Sequence, residues 1–277
     1  MFLHTRLQGL MVKYRFKPDR RLSQNFCVSE HFLDKLVTAA KLKSSDTVLE
    51  IGAGAGFLTE KLLEKCRVIA IEKDDALKQL LETELPEQDL ELRHEDFLDS
   101  QFKKGAFNKI VSLPPYSVSS EIVYKILTLE FEDAYLVFQK EFAEKLVSQP
   151  GFADFGAISV ATQYYCDAQL LFTVESNVFF PKPPGFSACL HLHSRRRFGR
   201  VSDEALFVHL IKELFRYKNK SLENALELAY PFLSKKLGYS REKMESRIKE
   251  LPFVSQKIYL MEVEEFVGLF SALHPSK

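Results

Sequence analysis

Residues 47–59 read TVLEIGAGAGFLT. Val48, Leu49 and Ile51 make a short apolar run that suits a buried strand. Gly52, Gly54 and Gly56 follow at alternate positions, and Leu58, Leu62 and Leu63 then recur at helical spacing. Glycines at a strand-to-helix turn let the backbone approach a ligand closely, and the helix that follows presents unpaired N–H groups. The spacing is G-x-G-x-G; a dinucleotide fingerprint would place its third glycine where Phe57 stands. Glu72 ends a second apolar run, Val68–Ile71, at the distance expected of an acid that takes the two hydroxyls of a ribose. An ordinary tight turn would account for the glycines alone. Strand, helix and Glu72 together indicate an adenosine-containing ligand, and the spacing with the bulky Phe57 favours S-adenosylmethionine over NAD.

A chain of 277 residues, 46% of them hydrophobic, can hold one large domain and a smaller one. No apolar run reaches the roughly eighteen residues of a membrane helix. The N-terminus lacks a signal-peptide core, so a cytoplasmic protein is expected. Cys27, Cys66, Cys166 and Cys189 lie too far apart for a zinc or disulfide framework and read as small buried apolar residues. The histidines form no H-x-x-H pair, and His191 with His193 reads as one face of a strand, so no metal is expected. Formal net charge is zero, yet residues 1–21 carry six Lys or Arg against one Asp, and residues 195–220 carry eight against three. Local basic stripes of this kind can hold phosphates, although solvated surface charge explains either one taken alone.

Along the chain, the first twenty residues read as irregular, a basic segment over 1–21. Ser29 then caps an amphipathic helix over 31–42. Strand-like runs at 47–51, 68–72, 90–93, 108–112 and 134–138 alternate with helical stretches near 57–66, 74–85 and 119–129. That alternation predicts an α/β fold with a parallel sheet covered by helices on both faces. A helix near 140–148 is followed by strands at 169–175 and 186–192, an antiparallel pair closing the sheet. From Ser202 the pattern is helical only (202–216, 218–229, 240–250 and 262–273), with breaks at Pro231, Gly238 and Pro252. The expected division is a domain over 22–198 and a helical domain over 199–277. Every candidate motif falls at the carboxyl end of a strand, where open α/β sheets bind ligands.

Asp96, in HEDFLD, ends the third strand and could accept the amine hydrogens of a bound adenine, with Phe97 flanking the ring; a helix N-cap aspartate is the plain alternative. SLPPYSVSS (112–120) is more informative. Its two prolines stiffen the turn and turn carbonyl oxygens outward, and Tyr116 offers a flat face for a base. An exocyclic adenine amine has its lone pair delocalised into the ring. Fixed acceptors for its hydrogens would pull the nitrogen toward tetrahedral geometry and aim the lone pair at a sulfonium methyl. The base would have to be unstacked or flipped to arrive there.

With QNF (24–26), FQKEFAEKL (138–146), FGAISVATQ (155–163), FFPKPPGFSA (179–188) and LFRYKNKSLENAL (214–226), these motifs form an ordered series over nearly the whole chain. The series resembles the ribosomal RNA adenine N6-dimethyltransferase family, most of all its archaeal members. The resemblance implies a Rossmann-like S-adenosylmethionine-dependent methyltransferase domain with a small all-helical C-terminal domain, acting on adenosines of small-subunit ribosomal RNA in an immature small ribosomal subunit. Nothing like a coiled coil is present in the sequence, so a monomer is expected. By position, Gln24, Asn25 and Phe26 would close over the cofactor and Gly52, Gly54 and Gly56 would bed its methionine part. Glu72 with Lys73 would hold its ribose, and Asp96 with Phe97 its adenine, beside Ser112. Tyr116 would stack on the target base with Phe179 or Phe180 on its far side, next to Ser112, Leu113 and Pro114. Arg195, Arg196, Arg197, Arg216, Lys218 and Lys220 would grip RNA phosphates.

The sequence departs from the family at four places. Leu113 stands where the motif N-L-P-Y has its asparagine, Ser23 where glycine is usual, Ala157 where arginine is, and Gly185 where valine is common. Loss of one preorganised acceptor at Leu113 typically costs on the order of a hundredfold in rate. A ribosome-assembly factor with weak or no methylation is therefore the alternative. A methyltransferase of small molecules or proteins does not need the basic helical tail, and the glycine spacing speaks against a dehydrogenase.

Overall fold

The computed structural model describes residues 2–85, 88–195, 197–251 and 253–274, the Arg20 side chain excepted. The chain divides into two compact units, residues 1–143 with 168–194, and residues 144–167 with 195–277.

The first unit begins with a helix, α1 (Leu3–Lys13), where an irregular segment is expected from the sequence. Leu7 and Leu10 bury one face of it. Arg6 pairs with Glu60 and lies over the Phe57 ring, 5.1 Å from its centroid. Lys13 and the Tyr14 hydroxyl both reach Glu84. No side chain caps this helix, so the reasons it forms are long-range and do not show as local signals. A two-residue strand, β1 (Phe26–Cys27), precedes α2 (Glu30–Ala40), whose cap Ser29 accepts from the Phe32 N–H as expected.

The sheet then builds as the alternation predicts. In chain order come β2 (Thr47–Ile51), α3 (Phe57–Leu63), β3 (Arg67–Glu72), α4 (Asp75–Glu84), β4 (Leu90–His94), β5 (Lys109–Ser112), α5 (Ser119–Ile126) and β6 (Asp133–Gln139). Next are α6 (Lys140–Val147), α7 (Ala157–Tyr165), β7 (Cys166–Val174), β8 (Phe179–Phe180) and β9 (Ser187–Ser194). Seven strands lie in the order β4-β3-β2-β5-β6-β9-β7. β2, β3, β4, β5 and β6 pair in parallel, with Val48 opposite Val68 and Ser112 opposite Leu136. β9 runs antiparallel to β6 and β7 follows it at the edge, so the late strands extend the sheet. β1 and β8 make a separate small ribbon, Phe26 opposite Phe180. Parallel strands buried on both faces read as continuous apolar runs, which is why residues 48–51 and 68–71 were legible. Strand order reverses between β2 and β5, and a crevice opens there at their carboxyl ends.

The second unit contains α7, α8 (Glu204–Phe215), α9 (Leu222–Leu237), α10 (Arg241–Glu250) and α11 (Val263–Leu273). Tyr164, Phe207, Phe266 and Phe270 are buried at its centre, with Phe207 and Phe270 edge to face at 5.6 Å. The α7 stretch carries the β-branched Ile158, Val160 and Thr162, which are poor helix formers; burial of Val160, Thr162 and Tyr164 decides its state. Pro231, expected to break a helix, lies inside α9. Its ring faces solvent, and burial of Leu226, Ala229, Leu233 and Leu237 offsets a cost of about 3 kcal/mol for proline in a helix interior. α9 ends at Gly238 in the left-handed region, as expected; Pro252 lies outside the described residues. All four cysteines are buried and none forms a disulfide. Among the described residues, no helix is long and apolar enough to cross a membrane.

Candidate active site

The turn after β2 is built on positive φ at Gly52 (76°), Gly54 (58°) and Gly56 (81°), conformations that a side chain would strain. The Gly52 and Ala53 N–H groups donate to Ile71 O at 2.8 and 3.1 Å, tying the turn to the end of β3. Gly52 and Gly54 line an open cavity of about 830 Å³. Gly56 does not. A Cβ there would meet Leu81 and Leu85 at 2.9 Å, so this glycine serves the packing of α3 against α4 rather than a ligand.

Glu72 lines the same cavity from the end of β3. Its carboxylate accepts from Gly54 N at 2.8 Å and from Lys73 N and Asp74 N at 2.9 Å. Burial raises its pKa above the ordinary carboxylate range despite those bonds. Asp96 also faces the cavity, as does Phe97. Burial pushes the Asp96 carboxyl up, but the Leu98 N–H and the Lys73 ammonium at 3.2 Å outweigh it and hold the pKa below normal.

The segment before β1 covers part of this cavity. Gln24 accepts from Asp19 N and donates to Asp74, the cap of α4, while the Asn25 amide donates to Ser23 O. Gln24, Asn25 and Phe26 all line the cavity. Ser23 has φ 50°, which gives a physical reason for glycine at this place.

From β5, Leu113, Pro114 and Tyr116 reach the cavity. Ser112 does not. It is fully buried, and its hydroxyl donates to Ile51 O at 2.7 Å and accepts from Ile51 N at 3.2 Å, binding β5 to β2. Tyr116 keeps its hydroxyl 2.8 Å from that of Ser187. Of the two phenylalanines, Phe179 lines the cavity; Phe180 pairs with β1 and meets His4 edge-on at 5.0 Å.

Glu50 is the residue the sequence reading passed over. It is 2% exposed on β2, and its Oε2 and the Thr59 hydroxyl are buried with no hydrogen-bond partner among the described residues. Burial pushes its pKa up to about 8; the Thr59 hydroxyl beside it offsets part of that rise, and the Glu72 charge adds to it. It lines a smaller recess that shares Asn25, Gly54 and Leu113 with the main cavity. The available signal was a lone acid in an otherwise apolar strand.

The sequence pattern of the family described as ribosomal RNA adenine dimethylase matches residues 15–259. The chain belongs to this family. It is an enzyme of the methyltransferase class, with the Rossmann-like fold of that class. It is 32% identical over 267 residues to the "Probable ribosomal RNA small subunit methyltransferase A" of Thermococcus sibiricus, covering 95% of this chain and 94% of the relative. To the protein of the same name from Methanosarcina barkeri it is 39% identical over 222 residues, 79% of this chain and 76% of the relative. The crystal structure of a dimethyladenosine transferase from Plasmodium falciparum has the same fold (TM-score 0.74, 24% identity, 88% of this chain and 95% of that one). So does the 23S rRNA methyltransferase ErmE (TM-score 0.62, 23% identity, 90% and 99%).

Leu113, where the resemblance leads one to expect an asparagine, is an apolar wall of both recesses. In the second unit, the expected phosphate grips are largely engaged within the protein. Arg195 and Arg197 share Asp167, Arg216 pairs with Glu213 while lying over Phe232, and Lys218 donates to Ala153 O. Lys220 is exposed, and Arg196 lies outside the described residues.

Proposed function

We propose that this enzyme transfers methyl groups from S-adenosylmethionine to the N6 amine of adenosines in small-subunit ribosomal RNA, within an immature small subunit. The observation that carries the reading is that one cavity at the switch point gathers Glu72, Asp96 and the Pro-Pro-Tyr turn from three different strand ends.

The residues suit that cofactor. A buried carboxyl oxygen without a partner, Glu50 Oε2, is fitted to a cationic group such as the ammonium of a methionine moiety. Glu72 has three of its roughly four acceptor positions taken by backbone N–H groups, leaving one for a ribose hydroxyl. Asp96, held ionised, accepts from an adenine amine. When bound, S-adenosylmethionine supplies an electrophilic methyl on a sulfonium. Tyr116 orients the target base, the Pro114 carbonyl accepts one amine hydrogen, and Leu113 excludes water without accepting anything. Catalysis on this view is mostly positioning.

A second reading is favoured by Leu113: a factor that binds cofactor and the immature subunit but methylates little. One experiment separates the two. Unmethylated small subunits are incubated with the protein and S-adenosylmethionine, and nucleosides are read by mass spectrometry. Dimethyladenosine or monomethyladenosine supports methyl transfer. No product, with cofactor and subunit binding both verified, moves the conclusion to the assembly factor.

A further inference from the structure

Tyr116 sits on the turn after β5, at the start of a short 3-10 segment. Its ring lines the cavity, but its hydroxyl points away into protein, where burial pushes its pKa up to about 12 and keeps it neutral. The partner it finds there is Ser187, at 2.8 Å. Ser187 is fully buried and is the first residue of β9, in register with Gln139 of β6. Among the described residues, neither side-chain hydroxyl has another hydrogen-bond partner. The ring is thus fixed at two ends, at Cβ by the proline-stiffened turn and at its hydroxyl by the frame of the sheet.

We propose that Ser187 is a positioning residue for methyl transfer, holding the Tyr116 ring in the plane that the target base must adopt. This rests on the function proposed above. A hydroxyl pair with no other partner acts as a single device, so its two members should be energetically coupled. Misplacement of a reacting group by about 1 Å costs up to a hundredfold in rate. A ring that stays on its turn but loses its far tether should cost less, about tenfold.

The test is a double-mutant cycle on methyl transfer to unmethylated small subunits at saturating S-adenosylmethionine. Ser187→Ala is expected to lower kcat about tenfold while leaving KM for S-adenosylmethionine unchanged. Ser187→Thr, which keeps the hydroxyl on a strand that tolerates β-branching, should restore most of it. In a Tyr116→Phe background, which keeps the ring and removes the hydroxyl, Ser187→Ala should cause no further loss. Equal losses in both backgrounds, or no loss in either, overturn the inference while the proposed function stands. Wild-type protein that transfers no methyl group overturns both.

Discussion

Replacing Glu72 by glutamine separates ligand binding from scaffold. The carboxylate accepts three backbone N–H bonds, from Gly54, Lys73 and Asp74 at 2.8–2.9 Å. Glutamine has one acceptor oxygen. It can keep the Lys73 and Asp74 bonds, but its amide NH2 then confronts the Gly54 N–H, and that charge-assisted bond is lost at a cost of about 1.5–3 kcal/mol. Opposing this, the variant no longer buries a charge, and burial is what raises the Glu72 pKa. The two terms nearly cancel in the folding free energy, so the urea midpoint should move little. They do not cancel for the cofactor. The ribose hydroxyl loses an ionised acceptor and the glycine turn loses its clamp, a loss of about 2 kcal/mol, or roughly thirtyfold in Kd. Titration calorimetry with S-adenosylmethionine on wild type and Glu72→Gln reads this directly. An affinity within twofold of wild type, at an unchanged urea midpoint, would refute the ribose assignment. Alanine is the poorer probe, because it strips all three N–H groups of their acceptor at once.

Glu50 carries a pH signature. Its folded pKa, pushed up to about 8 by burial, lies above an ordinary carboxyl value of about 4.3, so the native state binds the extra proton between them. Stability from this group is full below the ordinary value and falls as pH rises toward 8; urea midpoints from pH 5 to 9 should show that slope in wild type and lose it in Glu50→Gln. A cation bound beside Glu50 should expel its proton, so calorimetry at pH 7 in two buffers of different ionisation enthalpy should report proton release, and identical heats would remove Glu50 from the cofactor site. Leu113→Asn should raise methyl transfer by up to about a hundredfold if the missing acceptor limits the rate; single-turnover rates unchanged in a folded, cofactor-binding variant would show that the backbone already suffices. Ser23→Gly, at φ 50°, should stabilise the chain by up to about 1 kcal/mol by relieving left-handed strain; a lowered thermal midpoint would mean that the entropy of an added glycine outweighs it.

What the sequence by itself determined was everything carried by local pattern. The strand–glycine–helix run at 47–63, the acid at Glu72, the acid at Asp96 and the Pro-Pro-Tyr turn are short motifs whose placement at strand ends follows from the alternation of periods. The ordered motifs also pointed to the family. The tertiary structure decided what depends on residues distant in the chain. Ser112 and Leu113 are neighbours, yet the first is consumed by Ile51, 61 residues away, and the second faces the cavity. Gly56 is required by the packing of α3 against α4, α1 is held by burial of Leu7 and Leu10 and by pairs with Glu60 and Glu84, and Arg195 and Arg197 are drawn to Asp167. Side-chain direction and charge pairing are set by which surfaces meet across the fold. A one-dimensional pattern does not hold that information, so the motifs at the strand ends were legible, while Glu50 and the packing roles of Ser112 and Gly56 were not.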